Sequence, residues 1–218
     1  MGRVVGFVGC YSHDIILMLA KVFACLEEKV LVRDCNVRHT LYASVPIPDN
    51  ISLKKDVVEY DGVFFTGQKA EEMTEPYKME LVDFGMDVDK EQGKRCTDWV
   101  VITDMLLHHI RHLEESGIEK EAVRACVIRD AFQDSCKTEP EVRQFLHSFL
   151  NAKQFFLPPD FRDVRNRYVC ETTHEYNVNR ASPELRDMIF CLAEKLGDGC
   201  SEKEIRKKMR RLERRRYR

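Results

Sequence analysis

Apolar residues along the chain switch between two spacings. Arg3-Val4-Val5-Gly6-Phe7-Val8-Gly9 is a short, β-rich run ended by glycine, the pattern of a buried parallel strand. Over 15–26 the spacing becomes helical, with Ile15, Ile16, Leu19, Val22, Phe23 and Leu26 on one face and Ser12 placed to cap the helix. A second strand is predicted over 29–34. Others follow over 62–66, 79–84, 99–103, 123–129 and 154–157, with helices over 105–115, 139–150 and 183–196 between or after them. Strands alternating with helices imply βαβ units, and so an α/β fold with a doubly wound, mostly parallel sheet and helices on both faces. Pro46-Ile47-Pro48-Asp49-Asn50 and 90–94 read as surface loops. Gly197-Asp198-Gly199 ends the body, and Ser201 is placed to cap a last helix. The expected organisation is one domain over 1–197 and a basic, helical tail over 198–218.

Composition narrows the class. The 218 residues are 44% hydrophobic and 33% charged, which fits a packed core with a solvated surface rather than a disordered chain. No stretch reaches the roughly 20 apolar residues of a membrane span. The first residues enter a strand pattern without a signal-like cleavage site, so a cytoplasmic location is expected. Nine cysteines, an odd number with no C-x-x-C pair, argue against a disulfide framework or a zinc ribbon and for buried thiols in a reducing compartment. The net charge of −2 conceals an asymmetry: 202–218 holds ten Lys/Arg against three Glu, so the body is acidic and the tail strongly basic.

Five segments carry a resemblance. They are the strand, loop and helix start Val4-Val5-Gly6-Phe7-Val8-Gly9-Cys10-Tyr11-Ser12-His13-Asp14; the strand Lys29-Val30-Leu31-Val32-Arg33-Asp34-Cys35-Asn36; the strand Lys78-Met79-Glu80-Leu81-Val82-Asp83-Phe84-Gly85; the strand Asp98-Trp99-Val100-Val101-Ile102-Thr103-Asp104; and Phe156-Leu157-Pro158-Pro159-Asp160 with Ser182-Pro183-Glu184-Leu185. Their order resembles the ParA/MinD family of deviant Walker ATPases, closest in pattern to its pilus- and secretion-assembly branch (TadZ/CpaE-like). The resemblance implies a P-loop NTPase-like fold and a bacterial protein that places or assembles a surface machine. It also implies protein partners, a homodimer among them. By this likeness Asp34 matches the first residue of the family's Asp-x-Asp pair, Asn36 replaces the second, and Asp83 matches the metal-side carboxylate.

The loop chemistry departs from that pattern. A phosphate cradle needs glycines so that backbone N–H groups approach the anion, a lysine for the β/γ charge and a Ser/Thr hydroxyl for magnesium. Aligned on the family's helix, Tyr11 stands where a glycine belongs, Ser12 where the lysine belongs and His13 where the magnesium-binding threonine belongs. No lysine occurs between Met1 and Ala20. Asp14 places a carboxylate in the first turn of the helix, where the macrodipole stabilises an anion and where a phosphate would otherwise sit. Gly9, Cys10, Tyr11, Ser12, His13 and Asp14 therefore read as a vestigial nucleotide loop, and Asp34, Asn36 and Asp83 as remnants of a ligand or metal side. No catalytic residue, resident metal or cofactor is assigned.

Three readings stay open. The first is a non-catalytic scaffold or positioning factor. The second is an unorthodox ATPase that binds ATP and magnesium through Asp34 and Asp83. The third is an adaptor that meets nucleic acid or anionic membrane at its inner face through the tail residues Arg206, Lys207, Lys208, Arg210, Arg211, Arg214, Arg215 and Arg216, whose apolar stripe of Ile205, Met209 and Leu212 is narrow. His108 and His112 share a helical face at zinc-binding spacing, but no glutamate lies between them and no third ligand is evident; they read as an exposed polar face. Cys10 and His13 are weighed as a nucleophilic pair and left unassigned.

Overall fold

A computed structural model describes residues 2–26, 28–72, 76–132, 139–197 and 199–216, with side chains left undescribed at residue 72 and from residue 211 on. In chain order its elements are β1 (Arg3–Gly9), α1 (His13–Cys25), β2 (Val30–Asp34), β3 (Val58–Tyr60), β4 (Val63–Thr66), β5 (Met79–Asp83), α2 (Lys90–Gly93), β6 (Asp98–Thr103), α3 (Leu107–Glu114), β7 (Val123–Ile128), α4 (Pro140–His147), β8 (Lys153–Phe156), α5 (Phe161–Thr173), α6 (Pro183–Leu196) and α7 (Glu202–Arg216). The strands form one sheet in the order β3-β4-β2-β5-β1-β6-β7-β8. Every neighbouring pair is parallel except the β3–β4 hairpin. Its central strands are sealed on both faces, and so they read as largely apolar runs rather than as alternation, with buried Arg33 and Glu80 as polar exceptions.

Two cores flank the sheet. On one face α1 and α6 pack Ile15, Leu19, Phe23, Leu185 and Ile189 against Phe7, Val32 and Leu81. On the other, α3 and α4 bring Ile110, Leu113, Val142 and Phe145 onto Val8, Val101 and Cys126. Successive side chains of β1 point to opposite faces, so Phe7 and Val8 serve different cores. Gly6, between β5 and β6, leaves room for Trp99: a Cβ there would lie 2.5 Å from the indole. The sheet thus has the doubly wound form that the strand–helix alternation predicts.

Three elements differ from the sequence reading. The 90–94 segment contains a short helix, because Asp89 accepts hydrogen bonds from the amides of Glu91 and Gln92 at 2.9 and 3.0 Å. The three-residue strand β3 carries too few residues to show a period. The 13-residue helix α5 was not foreseen, because its apolar residues face outward. Phe161, Val164 and Tyr168 are exposed, while Asp163, Asn166 and Cys170 are buried. Asp163 earns its burial by accepting from the Ser182 amide and hydroxyl, both at 2.7 Å, which ties α5 to the start of α6.

The final helix docks on the body. Ser201 and Glu204 exchange contacts at its start, with the Ser201 amide and hydroxyl donating to the Glu204 carboxylate at 3.0 and 2.8 Å. Ile205 is fully buried and Met209 nearly so, both within the α1–α6 core, and Arg206 lies 4.4 Å over the Phe190 ring. The apolar stripe weighed for a membrane surface therefore faces the protein at Ile205 and Met209; Leu212 lies outside the described side chains. Removing buried aliphatic volume should be costly: Ile205→Ala is expected to lower unfolding free energy by about 2–5 kcal/mol, read by urea denaturation. A tail that hung free of the body would leave the urea midpoint unchanged.

Candidate functional site

Crossovers diverge at β1, which lies between β5 and β6, so the loops after β1, β2, β5 and β6 meet at the carboxyl edge of the sheet. Open α/β sheets bind ligands at such a switch point. Here β1 extends to Gly9, pairing with Ile102, and α1 begins at His13, leaving only Cys10, Tyr11 and Ser12 between them. The segment is a tight turn.

Backbone amides at its two ends have acceptors within the chain. Gly9 donates to the Gly85 carbonyl at 2.6 Å, Cys10 to the Ile102 carbonyl at 3.0 Å, and Ile15 to the Asp14 carboxylate at 2.9 Å. Gly9 is required for this closeness: its φ is 130° and a Cβ would fall 1.6 Å from the Ile102 oxygen. Tyr11 takes a left-handed φ of 55°, which turns its carbonyl toward Arg129 and leaves its ring half exposed.

Asp14 organises the helix start. It is fully buried, and Arg129 grips both carboxylate oxygens, at 2.6 and 2.9 Å, while donating to the Tyr11 carbonyl at 2.7 Å. Burial opposes the Asp14 charge, but the Arg129 guanidinium outweighs it and holds the carboxyl below its ordinary range, with His13 and Arg167 adding to the effect. Arg129, just beyond β7, closes the predicted 123–129 strand and has no site role in the sequence reading. Its signal was an arginine directly after the apolar run Ala125-Cys126-Val127-Ile128, a cation delivered to the carboxyl edge of a buried strand.

Ser12 corrects one expectation. It occupies the N-cap position but makes no side-chain cap; its hydroxyl donates to Asp83 at 2.8 Å. The same Asp83 oxygen accepts the Gly85 amide at 3.0 Å, and the other accepts from Asn36 and Thr40, each at 3.4 Å. Asp34 pairs in register with Asp83 across β2 and β5. The fold thus brings Ser12, Asp34, Asn36 and Asp83 together, with Thr40 and Gly85 added. Burial first, and then the Asp83 charge, push the Asp34 carboxyl up to about 7.

The remaining candidates disperse. His13 turns to Glu171 at 3.4 Å rather than to Cys10. Instead Cys10 lies near Asp104 and His109, with a ring nitrogen of His109 2.9 Å from Asp104. His112 bonds Asp87 at 3.0 Å and the Met86 carbonyl at 3.1 Å, and His108 packs against the His109 ring, so that histidine pair shares no ligand geometry. In the tail, Lys207, Lys208 and Arg210 are exposed and Arg206 is bonded to Asp187 and Glu202. Arg211, Arg214, Arg215 and Arg216 lie outside the described side chains. No helix of the described residues is long and apolar enough to cross a membrane.

Two variants test these electrostatics. Asp14→Ala leaves a buried guanidinium without its partner and should destabilise the fold by about 3–5 kcal/mol, whereas Asp14→Leu/Arg129→Met should recover most of that loss in the same urea titration. Asp34 binds its proton more tightly in the folded chain than in the unfolded one. The folded form therefore loses stability as pH rises from about 4 to about 7, with no further change above. Asp34→Asn should remove this loss, so its advantage in melting temperature over the parent is expected to grow across that window and then level off.

No family model and no curated protein matches the chain. Solved structures do. A MinC:MinD cell division complex from Aquifex aeolicus matches with a TM-score of 0.61 at 12% identity, covering 88% of this chain and 95% of that one. A putative plasmid partition protein from Borrelia burgdorferi B31, bound to AMPPNP, matches at 0.60 and 7% identity over 88% and 99% of the two chains. A ParA family ATPase from Chlorobium tepidum TLS matches at 0.55 and 16% identity, also over 88% and 99%. At these identities the likeness speaks for architecture rather than activity, and the architecture is that of the ParA/MinD ATPases, a mostly parallel P-loop NTPase-like fold.

Proposed function

We propose that the protein is a non-catalytic relative in this fold, a scaffold or positioning factor that works through protein partners. The observation that carries the reading is the Asp14–Arg129 pair at the head of α1. In a working loop the helix start presents N–H groups and a lysine to phosphate. In this chain the position holds a carboxylate whose counter-charge is already supplied, and the nearby amides of Gly9, Cys10 and Ile15 are bonded within the chain. A triphosphate would have to displace Asp14 and break several bonds at once. Asp83, the residue the alternative ATPase reading depends on, is occupied by Ser12, Gly85, Asn36 and Thr40.

The surface beside the turn favours a macromolecular partner. Tyr11, Phe161, Val164 and Tyr168 are exposed, and Arg167 of α5 lies 5.4 Å over the Tyr11 ring, so the apolar stripe of α5 adjoins the vestigial loop. The Aquifex MinD of this fold occurs in a complex with MinC. By extension, this chain would act by association, including with a second copy of itself, and in the narrower version of the reading it would serve assembly of a bacterial pilus or secretion apparatus. The basic tail adds a weak electrostatic contact to anionic surfaces.

Isothermal titration with ATP and magnesium should give no binding heat, and phosphate release should match buffer alone. Magnesium-dependent hydrolysis by the purified chain would overturn the proposal.

A further inference from the structure

The carboxyl edge holds a second group of side chains that plays no part in closing the turn. Cys10 follows β1, Asp104 follows β6, and His109 lies in the first turn of α3. One donor atom from each lies within 4.8 Å of the other two. Cys10 and Asp104 are buried and His109 is partly exposed. Sulfur, oxygen and nitrogen donors thus converge from two stretches of the chain, the end of β1 and the β6–α3 connection, beside the crevice but outside the Asp34–Asp83 cluster.

We propose that Cys10, Asp104 and His109 form a binding site for one divalent transition-metal ion of the zinc class. The donor set selects the ion: thiolate and imidazole suit zinc or cobalt, whereas magnesium prefers a shell of oxygens and waters. Three protein ligands leave one position of a tetrahedral shell for water or another small ligand. The donors are also held in place. The Cys10 amide is pinned to the Ile102 carbonyl at 3.0 Å, and one Asp104 oxygen accepts from the Leu106 amide and meets His109, both at 2.9 Å. Ligands fixed by neighbouring strands and a helix start need little rearrangement to bind.

Two alternative roles fit less well. Asp104 bonds the Leu106 amide and so orders the entry to α3, but that role requires neither the sulfur nor the imidazole. A nucleophilic thiol would need a populated thiolate. Burial first, and then the Asp104 charge, push the Cys10 thiol up to about 11, the reverse of activation. A bound dication takes the place of the thiol proton, which leaves to solvent, and is shared by the thiolate and the carboxylate. Arg129 is the nearby cation that already favours the thiolate slightly, but its guanidinium is committed to Asp14 and the Tyr11 carbonyl.

The inference is independent of whether nucleotide binds. The test is a cobalt titration of the full, metal-stripped chain in a phosphine reductant. One equivalent of Co²⁺ should bring up a thiolate-to-cobalt charge-transfer band, and Zn²⁺ should displace it. Cys10→Ser and His109→Gln should each abolish the band or weaken cobalt affinity by about tenfold or more. Cys191→Ser, a partly buried cysteine on α6, should leave both unchanged. Circular dichroism and thermal melting establish that each variant is folded. Absence of a one-to-one thiolate band in the parent overturns the proposal, as does a band that persists in folded Cys10→Ser. If Cys10→Ser does not fold, His109→Gln decides the matter, and parental cobalt affinity in that variant overturns the proposal.

Discussion

A carboxylate buried at the head of the first helix needs a cation, and in this fold the cation comes from the far side of β6. Arg129 leaves the end of β7 and closes on both oxygens of Asp14 while also holding the Tyr11 carbonyl. That grip fixes the turn between β1 and α1 in the conformation in which Tyr11 is left-handed and the Gly9 and Cys10 amides meet the adjacent strands. A buried ion pair is not itself a strong source of net stability, because both partners lose their hydration. Its effect is on specificity. Any arrangement that opened the turn would expose one member of the pair to an apolar environment without the other.

Around that pair, the polar residues at the crevice satisfy one another. Ser12 reaches Asp83, Asp83 holds the Gly85 amide, and Asn36 and Thr40 complete its second oxygen. Gly85 is needed there in two senses. Its φ of 61° is left-handed, and a Cβ would fall 2.7 Å from the Asn36 side chain. Residues that the family likeness assigns to nucleotide and metal are thus the ones that tie β1, β2 and β5 together at their carboxyl ends. Asp34 is the strained member, since it shares a buried site with a second carboxylate and has one oxygen without a hydrogen-bond partner.

The sequence made the sheet legible because its central strands are sealed on both faces, which leaves runs such as Val4-Val5-Gly6-Phe7-Val8 with no polar interruption. It hid α5 for the opposite reason. That helix buries Asp163, Asn166 and Cys170 and exposes Phe161, Val164 and Tyr168, so any rule that turns apolar residues inward places it wrongly. At the crevice, the sequence placed a carboxylate, Asp14, in the first turn of α1, but not what neutralises it, because Arg129 is 115 residues away along the chain. The convergence of Cys10 with Asp104 and His109 was hidden in the same way. Only strand order makes the ends of β1 and β6 neighbours. The visible histidine spacing, His108 and His112, pointed to a face whose rings look elsewhere.

These two halves of the crevice follow different logic, and the difference comes from where charge is balanced. On the β5 side each carboxylate oxygen of Asp83 is met by donors within the chain and Asp14 is met in full by a guanidinium, while Asp34 keeps one oxygen without a hydrogen-bond partner. On the β6 side the Cys10 thiol, the Asp104 carboxylate and the His109 ring stand together. Arg129, the arginine that bears on Cys10, is held by Asp14 and Tyr11. Low-dielectric surroundings strengthen the hydrogen bonds and the ion pair on the first side, and on the second they would favour the added positive charge of the proposed metal ion. The same turn, Cys10 to Ser12, serves both. Closing it on Asp14 and Asp83 ties the Cys10 amide to Ile102, and it also sets the Cys10 sulfur at the end of β1, near Asp104 and His109.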